Sequence, residues 1–157
     1  MKMRHALLAS VLSLNMTAAA LAQHAHDHTP GVDNRVVLAL TPIERVMILE
    51  EMRLFLDGVQ KMTGALGKQD MAAVAEAARG MGRKMVHEVP PALRAKLPQD
   101  FRQLGFSVHS EFDQIALDAD SLKDASHSLN QLSVTLQKCV ACHATYQIRI
   151  SGSDTGH

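Results

Sequence analysis

Apolar residues recur at alternating steps of four and three along much of this sequence, and this spacing is the feature that most constrains the fold. In the first such stretch the apolar positions are Ile48, Met52, Phe55, Val59 and Met62. Residues with this period lie on one face of an α-helix. The pattern predicts an amphipathic helix over residues 41–66 that begins with a capping box formed by Thr41 and Glu44.

The same period predicts three further helices, over residues 69–87, 98–120 and 124–149. A proline-rich connector joins the second and third of these helices. No alternating strand pattern is visible, and an aromatic content of 3% without Trp also disfavours a β fold. The sequence therefore predicts an all-α fold, namely an antiparallel up-down four-helix bundle over residues 41–150.

The start of the chain has the pattern of an export signal. A basic start at residues 1–5 precedes an apolar run over 6–19, and Ala20-Leu21-Ala22 matches a cleavage site. We expect residues 1–22 to be a signal peptide that directs the protein to the periplasm. The apolar run is short for a membrane span, so we do not expect the mature protein to cross a membrane.

The segments that flank the helices lack a helical period. Residues 23–40 are predicted to be a flexible leader, and residues 151–157 a flexible tail. The leader contains His24, His26 and His28, which could capture a divalent metal, although a disordered soluble segment is the favoured interpretation. The sequence leaves metal binding by this segment open.

The charge balance excludes one class of partner. Sixteen basic and sixteen acidic residues give a formal net charge of zero. A nucleic-acid-binding protein needs a basic surplus to neutralise phosphates, so we expect no nucleic-acid partner.

The strongest motif is Cys139-Val140-Ala141-Cys142-His143 in the last predicted helix. Two thiols at this spacing can each form a thioether with one vinyl group of the same porphyrin, and the next residue supplies an imidazole for the iron. Cys139 and His143 lie one helical turn apart on the same face. The motif predicts one covalently bound haem c, held by Cys139 and Cys142.

Other uses of a cysteine pair fit less well. A disulfide oxidoreductase would place the pair at the start of a helix in a βαβ unit, and no strands are predicted here. A structural zinc site would need further ligands, and the chain has only these two cysteines. A structural disulfide between residues this close would constrain almost nothing.

With this motif in its last helix, the chain resembles the class II c-type cytochromes, which are cytochrome c′ and its low-spin relatives. The resemblance covers about residues 41–149, and its specific part is Cys139 to His143. It implies a four-helix bundle in which His143 is the proximal iron ligand. It also implies a distal residue from the first helix, which is a methionine iron ligand in six-coordinate members. Met52 lies where that residue would fall in this chain.

The identity of the distal residue stays open at this point. Met52 could equally be core packing, Met47 is the second candidate ligand, and Leu49 could cover a five-coordinate iron. His109 lies one residue off its stripe, which predicts a surface or edge position. Three basic residues are candidates to hold the haem propionates: Arg53, Lys61 and Lys84.

These expectations define a function. We expect a periplasmic monohaem electron carrier that exchanges electrons with partner proteins and is not an enzyme. The alternative is a five-coordinate protein, like cytochrome c′, that binds NO or CO. The sequence leaves the redox partner, the reduction potential and the formation of a homodimer open.

Overall fold

The computed structural model describes residues 32–152, without the side chains of residues 86–88. This part of the chain is mostly helical and includes a small parallel sheet of two strands. Its elements are β1 (Val36–Leu40), α1 (Pro42–Leu66), α2 (Met71–Gly80), a 3-10 helix (Arg83–Glu88), α3 (Pro91–Lys96), α4 (Gln99–Leu122), α5 (Ala125–Thr145) and β2 (Tyr146–Ile150). Within residues 32–152, none of the helices is long and apolar enough to cross a membrane.

The start of α1 follows the predicted capping box. The Thr41 hydroxyl accepts a hydrogen bond from the Glu44 amide, and the Glu44 carboxylate accepts one from the Thr41 amide at 2.9 Å. Lys96 donates a further bond to Glu44 at 2.6 Å. The bonds from Lys96 and Thr41 lower the pKa of the Glu44 carboxyl below its usual value. The carboxylate therefore fixes the start of α1 and ties α3 to it.

The main core lies among α1, α2, α4 and α5. Phe112 and Met62 are fully buried there, in contact with the apolar faces that the sequence predicts. Met71 and Met81 belong to this core and Met85 packs against it, so these methionines serve packing. At Gly58 an added Cβ would overlap Met81, so the absence of a side chain allows α1 to accommodate this methionine.

The second predicted helix, over residues 69–87, is shorter than expected. Helix α2 ends at Gly80, and the chain continues into the 3-10 helix that starts at Arg83. Gly80 and Gly82 are poor helix formers. The Asp113 carboxylate accepts bonds from the backbone and the side chain of Arg83, the latter at 2.7 Å, which favours the new direction of the chain.

The prediction of no strands is wrong. Val36–Leu40, which we had assigned to the flexible leader, pairs in parallel with Tyr146–Ile150, which we had assigned to the last helix and its end. Helix α5 therefore stops at Thr145. The strands form because Leu38 and Leu40 bury their side chains against Ile48, Leu93 and Leu97 in a second apolar cluster. The rest of the leader, residues 23–31, and residues 153–157 lie outside the described residues.

This pairing predicts unequal costs for two substitutions in β1. Leu40 is 1% exposed whereas Val37 is 45% exposed on the same strand. Leu40→Ala should lower the free energy of unfolding by about 2–5 kcal/mol, because it leaves a cavity in the second cluster. Val37→Ala should cost about 1 kcal/mol or less. Urea unfolding measures both values, and equal small effects would contradict a packed strand at this position.

Candidate cofactor site

Helix α5 carries the cysteine motif in its last two turns. Asp124 caps the start of the helix, and its carboxylate accepts hydrogen bonds from the amides of Ser126 and His127 at 2.9 and 3.1 Å. Cys139, Cys142 and His143 all line one cavity. The helical spacing that the sequence predicts therefore brings two thiols and an imidazole to the same space.

The cavity is large and mostly apolar. Its volume is about 840 Å³, which lies within the range of small-molecule and cofactor sites. Side chains from α1, α4 and α5 line it, with further residues from the segment around α3. Representative apolar lining residues are Ile48, Phe55, Leu97, Phe101, Val108 and Leu136. This lining suits a largely apolar ligand of cofactor size.

Both thiols are half-buried and occur as free cysteines. Burial raises the pKa of Cys139 above its usual value, and the nearby Glu111 carboxylate also raises it. Burial likewise raises the pKa of Cys142, with a contribution from Cys139. Cys139 donates a weak hydrogen bond to the Thr135 carbonyl at 3.7 Å. At neutral pH the pair is therefore held as thiols.

The two methionines predicted as iron ligands have different positions. Met52 is half-buried and lines the cavity. Met47 is 42% exposed and does not line it, and neither does Leu49. Among these three residues of α1, the cavity thus includes only Met52.

The predicted surface or edge position of His109 is wrong. The imidazole is 3% exposed and lines the cavity, with its ring 4.9 Å from the ring of Phe55. Nδ1 lies 2.8 Å from the Met81 carbonyl oxygen, and Nε2 lies 3.1 Å from a Glu51 carboxylate oxygen. A carbonyl oxygen only accepts, so Nδ1 carries a proton. Both ring nitrogens are engaged by protein groups, and neither is left for a metal.

This histidine forms a buried pair with Glu51. Burial by itself lowers the pKa of the imidazole, but the hydrogen bonds to Glu51 and Met81 and the carboxylate charge together raise the pKa above its ordinary value. A sequence signal for burial did exist, since Ala116 lies seven residues after His109 and both lie on the same helix face. With His109 and Ala116 included, the buried face of α4 is wider than its apolar stripe alone.

Three basic residues line the cavity: Arg94, Arg102 and Lys138. Lys138 also pairs with Glu111 at 2.5 Å, and Arg94 donates to the Val89 carbonyl at 3.2 Å. The three predicted partners of the haem propionates do not line the cavity. They are Arg53, Lys61 and Lys84. Arg53 pairs with Glu50, and Lys61 with Asp57.

We also searched residues 32–152 for clusters of metal-ligating side chains. Residues 32–152 contain no group of three His, Cys, Asp or Glu side chains that could hold a metal ion. The histidines of the predicted leader, at positions 24–28, lie outside these residues.

Comparisons with family models, with curated proteins and with solved structures found no match to this chain.

The buried His109–Glu51 pair predicts a pH dependence of stability. The pKa of His109 is higher in the folded chain than its ordinary value of 6.5, so the folded chain binds more protons than the unfolded chain. Stability from this group is therefore fully present below the unfolded pKa and is lost as the pH rises through the folded pKa.

Urea unfolding between about pH 5.5 and about pH 8.5 measures this effect, because the slope of stability with pH reports the difference in bound protons. We expect His109→Gln to remove part of the fall in stability with rising pH. Arg53→Gln, at an exposed position outside the cavity, is the control and should keep the slope, because an arginine stays protonated throughout this pH range. An unchanged slope in His109→Gln would contradict the assignment.

Proposed function

We propose that this protein is an exported monohaem c-type cytochrome that carries electrons in the periplasm. The observation that carries the proposal is that Cys139, Cys142 and His143 line one apolar cavity of cofactor size. The cysteine motif by itself predicts haem attachment. The cavity beside it supplies the space that such a group needs.

The two thiols have the chemistry that covalent attachment requires. Each thiol would add across one vinyl double bond of the haem, with a sulfur–carbon bond formed, the double bond made single and the thiol hydrogen placed on the other vinyl carbon. The addition involves no net oxidation or reduction. Both cysteines are free and half-buried at the cavity, so each is available for this addition.

The remaining lining suits the other parts of a haem. Apolar side chains such as Phe101 and Leu136 would pack on the porphyrin faces, and the basic groups of Arg94, Arg102 and Lys138 would favour its two propionate carboxylates. Arg102 is exposed and lines the cavity. It is therefore the basic residue that we assign first to a propionate.

His143 and Met52 would be the two protein ligands of the iron. His143 follows Cys142 directly, and Met52 lines the same cavity from α1. A bound haem supplies one-electron iron chemistry, and a methionine ligand favours the reduced state and raises the reduction potential. Two protein ligands would occupy both open positions of the iron, which would favour electron transfer over substrate conversion.

The proposal includes the finer architecture. We assign α1, α2, α4 and α5 to an antiparallel up-down bundle of the class II cytochrome type. The supporting contacts are those of α2 with α1 and α4, and of α4 with α5. The protein would exchange electrons with redox proteins of the periplasm, and it would do so as a single copy or as a homodimer.

Covalent haem attachment is tested directly by expression of the full chain in a host that matures c-type cytochromes. We expect a coloured product whose mass exceeds that of the mature polypeptide by one haem and that stains for haem on a denaturing gel. A Cys139→Ser, Cys142→Ser double variant should lose the stain, because no thioether can form. Colourless wild-type protein of unchanged mass would refute the proposal.

The distal ligand is tested by a pair of substitutions on α1. The reduced wild-type protein should have narrow α and β bands that do not change when CO is added, because Met52 occupies the sixth position. Met52→Ala should open that position and give a full spectral shift with CO. Met47→Ala should behave like the wild type, since this residue does not line the cavity.

The alternative function has its own result in this experiment. Broad high-spin bands in the reduced wild-type protein, with a shift on addition of CO, would show a five-coordinate iron. That outcome would refute Met52 as a ligand. It would favour a protein that binds NO or CO.

A further inference from the structure

The end of the cysteine motif is tied to the opposite end of the described chain. Strand β2 begins at Tyr146, three residues after His143, and Tyr146 lies opposite Val36 of β1 in the parallel ladder. The Tyr146 amide still donates to the Cys142 carbonyl and closes the last turn of α5. The last helical turn, which holds Cys142 and His143, is thus followed at once by a paired strand.

Arg35, directly before β1, contacts the backbone of His143. Its Nη1 donates hydrogen bonds to the His143 carbonyl at 3.2 Å and to the Tyr146 carbonyl at 3.5 Å. In return, the Gln147 side-chain amide donates to the Arg35 carbonyl at 2.9 Å. The last carbonyls of a helix lack partners within the helix and favour a nearby cation. The guanidinium satisfies this requirement at the residue that we assign as the proximal ligand.

The same strands pack against residues that line the cavity. The cluster that contains Leu38 and Leu40 also contains Ile48 and Leu97, which line the cavity. Phe101, another lining residue, packs edge-on against Tyr146 with ring centroids 5.2 Å apart. The position of the strand pair is therefore coupled to the cavity wall as well as to the backbone of His143.

From these contacts we infer that Arg35 is a positioning residue for the bond between His143 and the iron. This inference rests on the proposed haem site. Thioethers at Cys139 and Cys142 would hold the porphyrin even if the last turn of α5 frayed. The imidazole of His143 would leave the iron in that case, because its place depends on a helical backbone at residues 142–145. Arg35 acts against this fraying by capping the His143 carbonyl.

The test follows local and global unfolding in the same haem-loaded protein. Met52→Ala serves as the background, because it would leave His143 as the protein ligand of the iron. A change in the Soret band would then report loss of the bond from His143. Urea titrations are then followed by the Soret band, which reports ligation, and by far-UV circular dichroism, which reports helix content. In this background we expect the two transitions to coincide.

Adding Arg35→Gln should separate them. The Soret transition should move to lower urea by roughly 0.5–1 M relative to the circular dichroism transition, as expected for loss of a charged hydrogen-bond donor. Arg35→Lys should separate the two transitions less than Arg35→Gln does, because an ammonium can still donate to the carbonyl. Arg53→Gln, an exposed arginine on α1 that contacts Glu50, is the control and should leave the transitions together.

The outcomes separate the inference from the proposed function. Coincident transitions in Arg35→Gln, even if both shift to lower urea, would overturn the positioning role, because a purely structural contribution moves both. If the transitions coincide but every variant still carries the added mass of one haem, the cytochrome proposal stands. Absence of the added mass in the Met52→Ala background would overturn both.

Discussion

A parallel pairing of ten residues, five from each end of the described chain, is the constraint on which the cavity depends. Strand β1 (Val36–Leu40) and strand β2 (Tyr146–Ile150) bury Leu38 and Leu40 against the same cluster that supplies part of the cavity wall. Such a pair is too small to be stable alone, since two strands need a packed face to persist in water. The burial of the two leucines provides that face, and the pairing in turn fixes where α5 ends.

The cavity combines an apolar interior with a few polar groups in defined places. A buried histidine, His109, bonds to Glu51 and to a backbone carbonyl, so its polarity is satisfied inside the wall rather than offered to the space. Arginine and lysine side chains line the cavity together with aromatic and aliphatic ones. This combination matches the needs of a porphyrin, which has apolar faces and two carboxylates on one side. It is the physical basis of the proposed function.

Much of the helical structure could be predicted from the sequence because local rules determine it. The capping box at Thr41 and Glu44, the length of α1 and the extent of α4 follow from spacing and side-chain chemistry. The strands could not be predicted in this way. Val36–Leu40 pairs with residues 110 positions later, so its structure depends on a partner that no local window contains. The burial of His109 was missed for a similar reason, because its partners Glu51 and Met81 belong to other segments.

The sequence by itself determined which residues are candidates for haem attachment. They are two cysteines and a histidine, and their spacing puts them on one side of a helix. Only the tertiary structure decided which other side chains join them. It placed Met52 rather than Met47 at the cavity, put Arg102 and Lys138 there instead of Arg53 and Lys61, and brought Arg35 to the carbonyl of His143. The physical reason is that spacing within a helix is set by bonds along the chain. Contact between segments is set by packing, which depends on every segment at once.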